Sequence, residues 1–172
     1  MRQGALAADR LRPPGRLTAA DAPALMQVQA ACYAPHLLES AQVYALRLAS
    51  PVQCSWGVRD AGGALVAYLA AYWSVRGAVT PLHGDFERHA QPDALYLHDM
   101  AVRPEWAGRR LAQALLQAAF SDAAVQGIRQ AALVSVQGTQ GFWQRQGFKP
   151  ADAPPHLRSY GMDAVYMTRE LI

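Results

Sequence analysis

The sequence has 172 residues, of which 52% are hydrophobic and 17% are charged, a balance typical of one ordinary globular domain. Its formal net charge of +3 favours anionic ligands such as a nucleotide diphosphate and is too small for a polybasic tail. No apolar run reaches membrane-spanning length, and neither the two cysteines nor the five histidines have zinc-ligand spacing. We therefore expect a cytoplasmic protein without a metal site.

The chain begins with a segment that we expect to lack fixed structure. Residues 1–16 are basic, contain no glutamate and are interrupted by two adjacent prolines, which predicts a disordered extension. A single domain then covers residues 17–172.

Two helices follow the extension. Thr18, with Asp21 three residues later, is typical of a helix N-terminus and predicts a first helix that ends at Pro35. A second short helix is predicted over residues 39–48, with Leu46 and Leu48 on its apolar side.

The next segment predicts a β-hairpin and a central strand. Residues 54–59 and 64–73 are strand-like and flank Asp-Ala-Gly-Gly, a strong turn signal. Residues 74–94 have no periodicity and form a long loop, a type of connection that is often functional. A buried strand then runs from residue 95 to residue 102.

The second half of the chain alternates helices and strands. A helix starts at residue 111 and reaches at least residue 120, and an apolar run over residues 131–136 predicts a strand buried on both faces. A helix over residues 139–146 precedes two last strands, at residues 156–160 and 165–171. This order predicts an α/β fold in which helices flank both faces of a mixed, mostly antiparallel central sheet.

The turn between the central strand and its helix carries the main functional signal. Residues 106–110 offer free backbone N–H groups, one glycine at Gly108, and the guanidinium groups of Arg109 and Arg110. Cations are unfavourable at a helix start, so a bound anion explains both arginines better than a solvated surface does. This combination suits a phosphate.

Two motifs resemble those of the GNAT superfamily of N-acetyltransferases. The run M-A-V-R-P-E-W-A-G-R-R-L-A-Q-A-L-L is similar to its acetyl-CoA pyrophosphate motif, Q/R-x-x-G-x-G/A, and G-F-W-Q-R-Q-G-F is similar to its F-Y-x-x-x-G-F element. Ala112 keeps the final small position of the first motif. Ala107 replaces its Gln or Arg, Arg110 replaces its first glycine, and Trp143 replaces the tyrosine of the second.

The resemblance implies direct transfer of an acetyl group from acetyl-CoA to a primary amine of a small molecule or peptide. The expected contacts to acetyl-CoA are Met100, Ala101, Val102, Gly108, Arg109, Arg110, Leu111, Ala112, Gln113, Phe142 and Trp143. Tyr33 and Glu39 are expected to border the amine, with a packing aromatic and a helix-start acid as the alternatives. No membrane or nucleic-acid partner is expected, and a homodimer is possible.

The catalytic candidates are His98, Asp99 and Tyr160. A base for the amine is expected on the central strand, and His98 is the first choice because its unperturbed pKa is about 6.5, with Asp99 second. Side chains alternate along a strand, so these two are expected on opposite faces. Tyr160 is expected to protonate the leaving thiolate, because the indole of Trp143 cannot.

Other roles remain open. A backbone-bonded His-Asp pair and a half-buried strand tyrosine are the alternatives for the three catalytic candidates. For the whole protein, the alternative is an inactive or weak acyl-CoA-binding sensor, suggested by the departures from the motifs. Nucleic-acid binding, suggested only by the basic pI near 9.1, lacks any supporting motif.

Overall fold

The computed structural model describes residues 10–171, and within them a seven-stranded sheet carries helices on both faces. The strands are β1 (Gly15–Arg16), β2 (Trp56–Arg59), β3 (Leu65–Ser74), β4 (Ala94–Val102), β5 (Gln130–Ser135), β6 (Lys149–Pro150) and β7 (Val165–Glu170). The α-helices are α1 (Ala22–Cys32), α2 (Ala41–Ala49), α3 (Leu111–Val125) and α4 (Gln140–Arg145). Short 3-10 helices cover Ala19–Asp21, Pro35–Leu37, Pro104–Trp106 and Leu157–Tyr160.

The sheet is mixed and mostly antiparallel, as predicted. Its order is β1-β2-β3-β4-β5-β7-β6, and β4 with β5 forms the parallel pair. That pairing joins residues 95–97 to residues 131–133, although β4 continues to Val102 and β5 to Ser135. The two central strands therefore part toward their carboxyl ends, and a gap opens in the middle of the sheet.

A β-bulge interrupts β4 at the start of this gap. Ala70 pairs with Asp99 while its neighbour Ala71 pairs with Leu97, so His98 is the extra residue. The bulge shifts the alternation of side chains by one residue. The expectation that His98 and Asp99 lie on opposite faces is therefore wrong, because both side chains contact residues on the same side of the sheet.

Each face of the sheet has its own apolar core. Leu115 and Leu116 of α3 pack with Leu97 and Phe148 on one face. On the other face, residues of α1 and α2 pack with Tyr68, Tyr72 and other strand residues, among them Leu25, Val28, Tyr44 and Leu48. Among residues 10–171, no helix has both the length and the hydropathy to cross a bilayer.

Several boundaries differ from those predicted. Residues 1–9 of the predicted extension lie outside the described residues. Its later part is attached to the sheet, because Leu11 bridges to Asp60 and β1 pairs with β2. The prediction of disorder up to residue 16 is therefore wrong for residues 11, 15 and 16, whose backbones are paired.

The segment at residues 156–160 is a 3-10 turn and not the predicted strand. His156 has a φ of 71°, and the backbone N–H of Ser159 donates to its carbonyl at 3.2 Å. A left-handed residue followed by a helical turn cannot extend into a ladder. The strand that pairs with β7 at this edge is β6.

Candidate active site

Two adjoining cavities lie along the gap between β4 and β5 and share Phe142. The inner cavity has Leu97, His98 and Met100 of β4 and Leu133 of β5 in its walls. It is completed by Tyr33, Glu39, Asp99, Trp143 and Tyr160, among others. The turn cavity lies at the start of α3, and its walls include Val102, Trp106, Ala107, Gly108, Arg110, Leu111, Ala112 and Gln113. Most of the residues predicted for the site therefore line these two cavities, which we call the groove, whereas Ala101 and Arg109 line neither.

The turn cavity is formed largely by main chain. Gly108 has a φ of 78° and Arg110 a φ of 59°, so the chain changes direction sharply before the helix. The first hydrogen bond of α3 runs from the N–H of Ala114 to the carbonyl of Arg110 at 3.1 Å. The N–H groups of residues 111–113 precede it and have no acceptor among the described residues. These donors at a helix start fit phosphate oxygens.

Side chains around the turn leave the main chain accessible. Ala107 and Ala112 are small, and a Cβ added to Gly108 would have no neighbouring atom within 4 Å. The guanidinium of Arg109 lies 4.5 Å from the centre of the Trp106 ring, a cation–π contact that orients it. The departures at Ala107 and Arg110 thus leave a backbone cradle with positive charge beside it.

Two residues at the end of α1 donate to carbonyls of β4 beside the gap. The hydroxyl of Tyr33 donates to the carbonyl of Met100 at 2.9 Å, and the thiol of Cys32 donates to the carbonyl of Val102 at 3.2 Å. Burial, reinforced by the charge of Asp99, raises the pKa of Tyr33, so this phenol stays protonated. Tyr33 lies on the wall of the inner cavity with its hydroxyl bonded to the strand, and its place beside the acceptor amine stays a prediction.

A buried ion pair stands behind the inner cavity. Arg47 is 1% exposed and Glu39 is 3% exposed. The guanidinium donates to both carboxylate oxygens, at 2.8 and 2.6 Å, and its Nε donates to the carbonyl of Gly84 at 2.9 Å. The backbone N–H of His83 donates to the same carboxylate at 2.7 Å. Every polar group of the pair is thus engaged inside the protein.

The charges of this pair are mutually stabilised. Burial alone disfavours ionisation of Glu39, but the charge and hydrogen bonds of His98 and Arg47 outweigh it and lower the pKa of the carboxyl. Burial likewise disfavours the charged guanidinium, but Glu39 outweighs it and raises the pKa of Arg47. Both groups are therefore charged near neutral pH.

Glu39 also fixes the orientation of His98. The Nε2 atom of His98 lies 2.7 Å from a carboxylate oxygen of Glu39 and 2.9 Å from a guanidinium nitrogen of Arg47. The carboxylate can only accept and the guanidinium can only donate, so the two partners favour opposite tautomers of the imidazole. Its Nδ1 lies 3.4 Å from the hydroxyl of Tyr160, which itself donates to the carbonyl of Thr80 at 2.6 Å. In the tautomer that donates to Glu39, the lone pair of Nδ1 is available to accept a proton.

Asp99 is held by phenols. Its Oδ2 accepts from the hydroxyl of Tyr44 at 2.5 Å and from that of Tyr68. Burial, with the charge of Asp99 second, raises the pKa of both tyrosines, which therefore remain donors. Its Oδ1 is shielded from solvent and has no hydrogen-bond partner among the described residues.

Tyr160 and Trp143 lie on opposite walls of the inner cavity. Tyr160 is 7% exposed, and burial, followed by the charge of Glu39, raises its pKa. Trp143 is 8% exposed and packs edge-on against Phe142 and Phe148, at ring distances of 5.0 and 5.5 Å. It is therefore a core residue whose side also contributes to the cavity.

The sequence analysis did not identify Arg47, Tyr44 and Tyr68 as site residues. The three lie on α2 and β3, and two of them contact Asp99. A signal for Arg47 was present in the sequence. Tyr44, Arg47 and Leu48 stand at positions i, i+3 and i+4 of α2 and therefore share one face of the helix. That face is buried while the predicted apolar residue Leu46 is 58% exposed, so a charge stands where a core residue was expected.

Comparison with known proteins identifies the family. The model of the acetyltransferase (GNAT) family matches residues 22–148, and the chain therefore belongs to this family. Among curated proteins, none matches the sequence significantly.

Solved structures share the fold at low sequence identity. One is the ribosomal-protein-S18-alanine N-acetyltransferase from Escherichia coli, with a TM-score of 0.69, 16% identity and 94% of each chain covered. Another is the GphF GNAT-like decarboxylase in complex with isobutyryl-CoA, with a TM-score of 0.76, 17% identity and coverage of 94% and 100%. A third is the PaiA N-acetyltransferase from Thermoplasma acidophilum in complex with coenzyme A, with a TM-score of 0.61, 14% identity and coverage of 93% and 98%.

Proposed function

We propose that this member of the family transfers the acetyl group of acetyl-CoA to a primary amine by direct attack of the amine nitrogen on the thioester. The observation that supports the proposal is the groove formed by the two cavities, which share Phe142. At one end it presents unpaired backbone donors that fit a pyrophosphate. At the other it presents an imidazole whose Nε2 lies between Glu39 and Arg47 and whose Nδ1 faces the hydroxyl of Tyr160. The first end suits the acetyl donor and the second suits the amine.

The donor is proposed to bind along the open edge of β4 and the turn before α3. The N–H groups at the start of α3 would bind the pyrophosphate, and Arg109 and Arg110 would add charge-assisted contacts. The residues assigned to acetyl-CoA are Met100, Ala101, Val102, Gly108, Arg109, Arg110, Leu111, Ala112, Gln113, Phe142 and Trp143. Since most of these contacts are main-chain, they tolerate the side-chain departures from the motif.

The amine binds as an ammonium, and His98 is proposed to take its first proton on Nδ1, which gives the neutral nucleophile. A bond then forms between the nitrogen and the acetyl carbon, the carbon–sulfur bond breaks, and the sulfur leaves with the electron pair of that bond. The hydroxyl of Tyr160 is proposed to protonate the sulfur. The second proton that the nitrogen loses returns Tyr160 to its phenol form, and His98 releases the first proton to solvent. Orientation of the two bound reactants supplies the larger part of the acceleration, about 7–11 kcal/mol in the best intramolecular models.

The surroundings of Glu39 favour a different role from the predicted one at the amine. Both of its oxygens already accept hydrogen bonds, from Arg47, from His98 and from the backbone of His83. We assign Glu39 the role of orienting His98, as a carboxylate does for a catalytic imidazole.

An acyl-CoA-binding sensor without turnover is the second candidate. It is favoured by Trp143, whose indole occupies the position of the tyrosine in the family motif and cannot donate a proton near neutral pH. Such a protein would bind acetyl-CoA in the same groove.

The two candidates are separated by measuring thiol release from acetyl-CoA with a panel of primary amines. Product masses are measured in parallel, and thermal unfolding is measured with and without acetyl-CoA. The proposed function requires stabilisation by acetyl-CoA together with amine-dependent thiol release and an N-acetylated product. Stabilisation without amine-dependent release supports the sensor instead.

A further inference from the structure

We infer that the acceptor is a primary amine bearing one positive charge on an apolar or aromatic body, and that its ammonium binds to Oδ1 of Asp99. The inference rests on the proposed function and specifies its substrate class. It gives Asp99 a binding role in place of the predicted role as second choice of base.

The first argument is the unpaired oxygen itself. Asp99 lines the inner cavity, and its Oδ2 is occupied by Tyr44 and Tyr68. Its Oδ1 is shielded from water and accepts no hydrogen bond from the described residues, since the nearby hydroxyl of Tyr33 donates to the carbonyl of Met100. A buried carboxylate oxygen without a donor is costly, and an ammonium group supplies both the missing hydrogen bond and the opposite charge.

The second argument is the number of negative charges available to a ligand. The described residues lining the inner cavity include two carboxylates, Glu39 and Asp99. Glu39 is neutralised by Arg47 and fully hydrogen-bonded. One carboxylate oxygen without a donor suits one ammonium group, whereas a polyamine would leave its other charges without partners.

The third argument is the absence of a cation from the lining. No lysine or arginine is among the described residues that line the inner cavity, and Arg47 behind it is enclosed by Glu39 and the carbonyl of Gly84. A carboxylate next to the amine, as in a free amino acid, would therefore be unpaired. The remaining walls include Leu37, Leu82, Val134 and Val136, which suit an apolar body.

The charges of the buried groups also balance during the reaction. The guanidinium of Arg47 offsets the carboxylate of Glu39, and a bound ammonium offsets the carboxylate of Asp99 in the same way. When His98 takes the proton, the positive charge stays within the same set of groups. Proton transfer therefore leaves the net charge of the enclosed site unchanged, which avoids a desolvation cost.

A matched pair of acceptors tests the inference without any mutation. Phenylalanine and phenylalaninamide differ in the free carboxylate, and phenethylamine and spermidine complete the set. We expect kcat/KM for the amide and for phenethylamine to exceed that for phenylalanine and for spermidine by about 100-fold or more, since unpaired or like charges are strongly excluded.

The variant Asp99→Asn tests the residue. Asparagine keeps an oxygen for the two phenols and places an NH₂ group where Oδ1 stood. The KM for phenethylamine is expected to rise about 10-fold to 100-fold, the range for loss of a hydrogen bond between charged groups. Acetyl-CoA affinity is expected to stay within about twofold of the parent. Asp152→Asn, an equal charge change at an exposed position outside the cavity, is the control.

The outcomes are distinct. Equal or better turnover of phenylalanine or spermidine, or an unchanged KM in a folded Asp99→Asn protein, overturns this inference and leaves the proposed function intact. If Asp99→Asn does not fold, the kcat/KM values of the parent protein for the four acceptors still test the inference. No amine-dependent thiol release with any of them overturns the proposed function and this inference with it.

Discussion

The two ends of the groove are built in different ways. The turn cavity is formed largely by consecutive backbone groups at residues 108–113, whose side chains are small or exposed apart from the buried Leu111. The inner cavity depends on side chains that come from distant parts of the chain. His98 meets Arg47 across 51 positions, Glu39 across 59 and Tyr160 across 62.

This difference determines how each end responds to mutation. A backbone cradle tolerates most side-chain changes and is sensitive mainly where the conformation requires glycine. A buried set of charged side chains is sensitive at every member, because removal of one leaves another unpaired. The following changes test the contrast, and they are given in order of decreasing expected effect.

The largest effect is expected at His98, the side chain of the inner cavity that is proposed to accept the proton of the amine. In His98→Gln, kcat/KM for the amine should fall by about 10²–10⁴, the range for a lost acid–base group, and the acidic limb of its pH profile should disappear. Acetyl-CoA affinity should not change. His36→Gln, at an exposed position, serves as the control. A His98→Gln enzyme with the parental rate and pH limb would place the base elsewhere.

Arg47→Met tests whether the buried pair supports the inner cavity. Removing one partner of a buried pair leaves an unpaired charge and typically costs about 3–5 kcal/mol. Urea unfolding should show a loss of this size, while Arg76→Met should cost about 0–1 kcal/mol, because its pair with Asp93 is half exposed. Equal losses of unfolding free energy in the two variants would mean that the buried pair of Arg47 contributes no more to stability than an exposed ion pair.

Gly108→Val tests the turn cavity, which is formed largely by main chain, and Gly127→Val is its matched control. Both glycines have a positive φ, 78° and 73°, and neither has an atom near the position of an added Cβ. Each substitution should therefore destabilise the fold by a similar amount, about 1–2 kcal/mol. Only Gly108→Val should weaken acetyl-CoA binding, by about tenfold or more, since it disturbs the phosphate donors. Equal affinities in the two variants would contradict the assigned cradle.

The smallest effect concerns acid stability. The folded-state pKa of Glu39 is depressed below its ordinary value of 4.5. Its ionised form therefore stabilises the fold above that value, and this contribution is lost as the pH falls toward the folded-state pKa. The free energy of unfolding should fall more steeply between about pH 6 and pH 3 in the parent than in Glu39→Gln. Parallel profiles would mean that Glu39 is not held ionised.

The same contrast explains what the sequence could predict. Helices, strands and the hairpin at Asp60 follow local periodicity and turn chemistry, and the main elements lie close to their predicted positions. The turn around Gly108 is local too, so its residues could be identified as one group. The cluster of Glu39, Arg47 and His98 depends on tertiary packing, which local spacing does not encode.

The bulge at His98 had no local sequence signal. No glycine or proline marks it, and regular alternation therefore assigned His98 and Asp99 to opposite faces. Similarly, the positive φ of His156 turned a strand-like run into a 3-10 helix. In both places one residue with an unusual backbone changed the positions of several side chains.

The central claim is that the two ends of the groove hold the two substrates at the same time, so that the acetyl group passes directly from sulfur to nitrogen. Initial rates with acetyl-CoA and phenethylamine varied together test this claim most directly. Double-reciprocal plots should give intersecting lines, and the intact mass of enzyme incubated with acetyl-CoA alone should be unchanged. Parallel lines together with an acetylated enzyme would contradict the account, because they indicate a covalent intermediate formed before the amine binds.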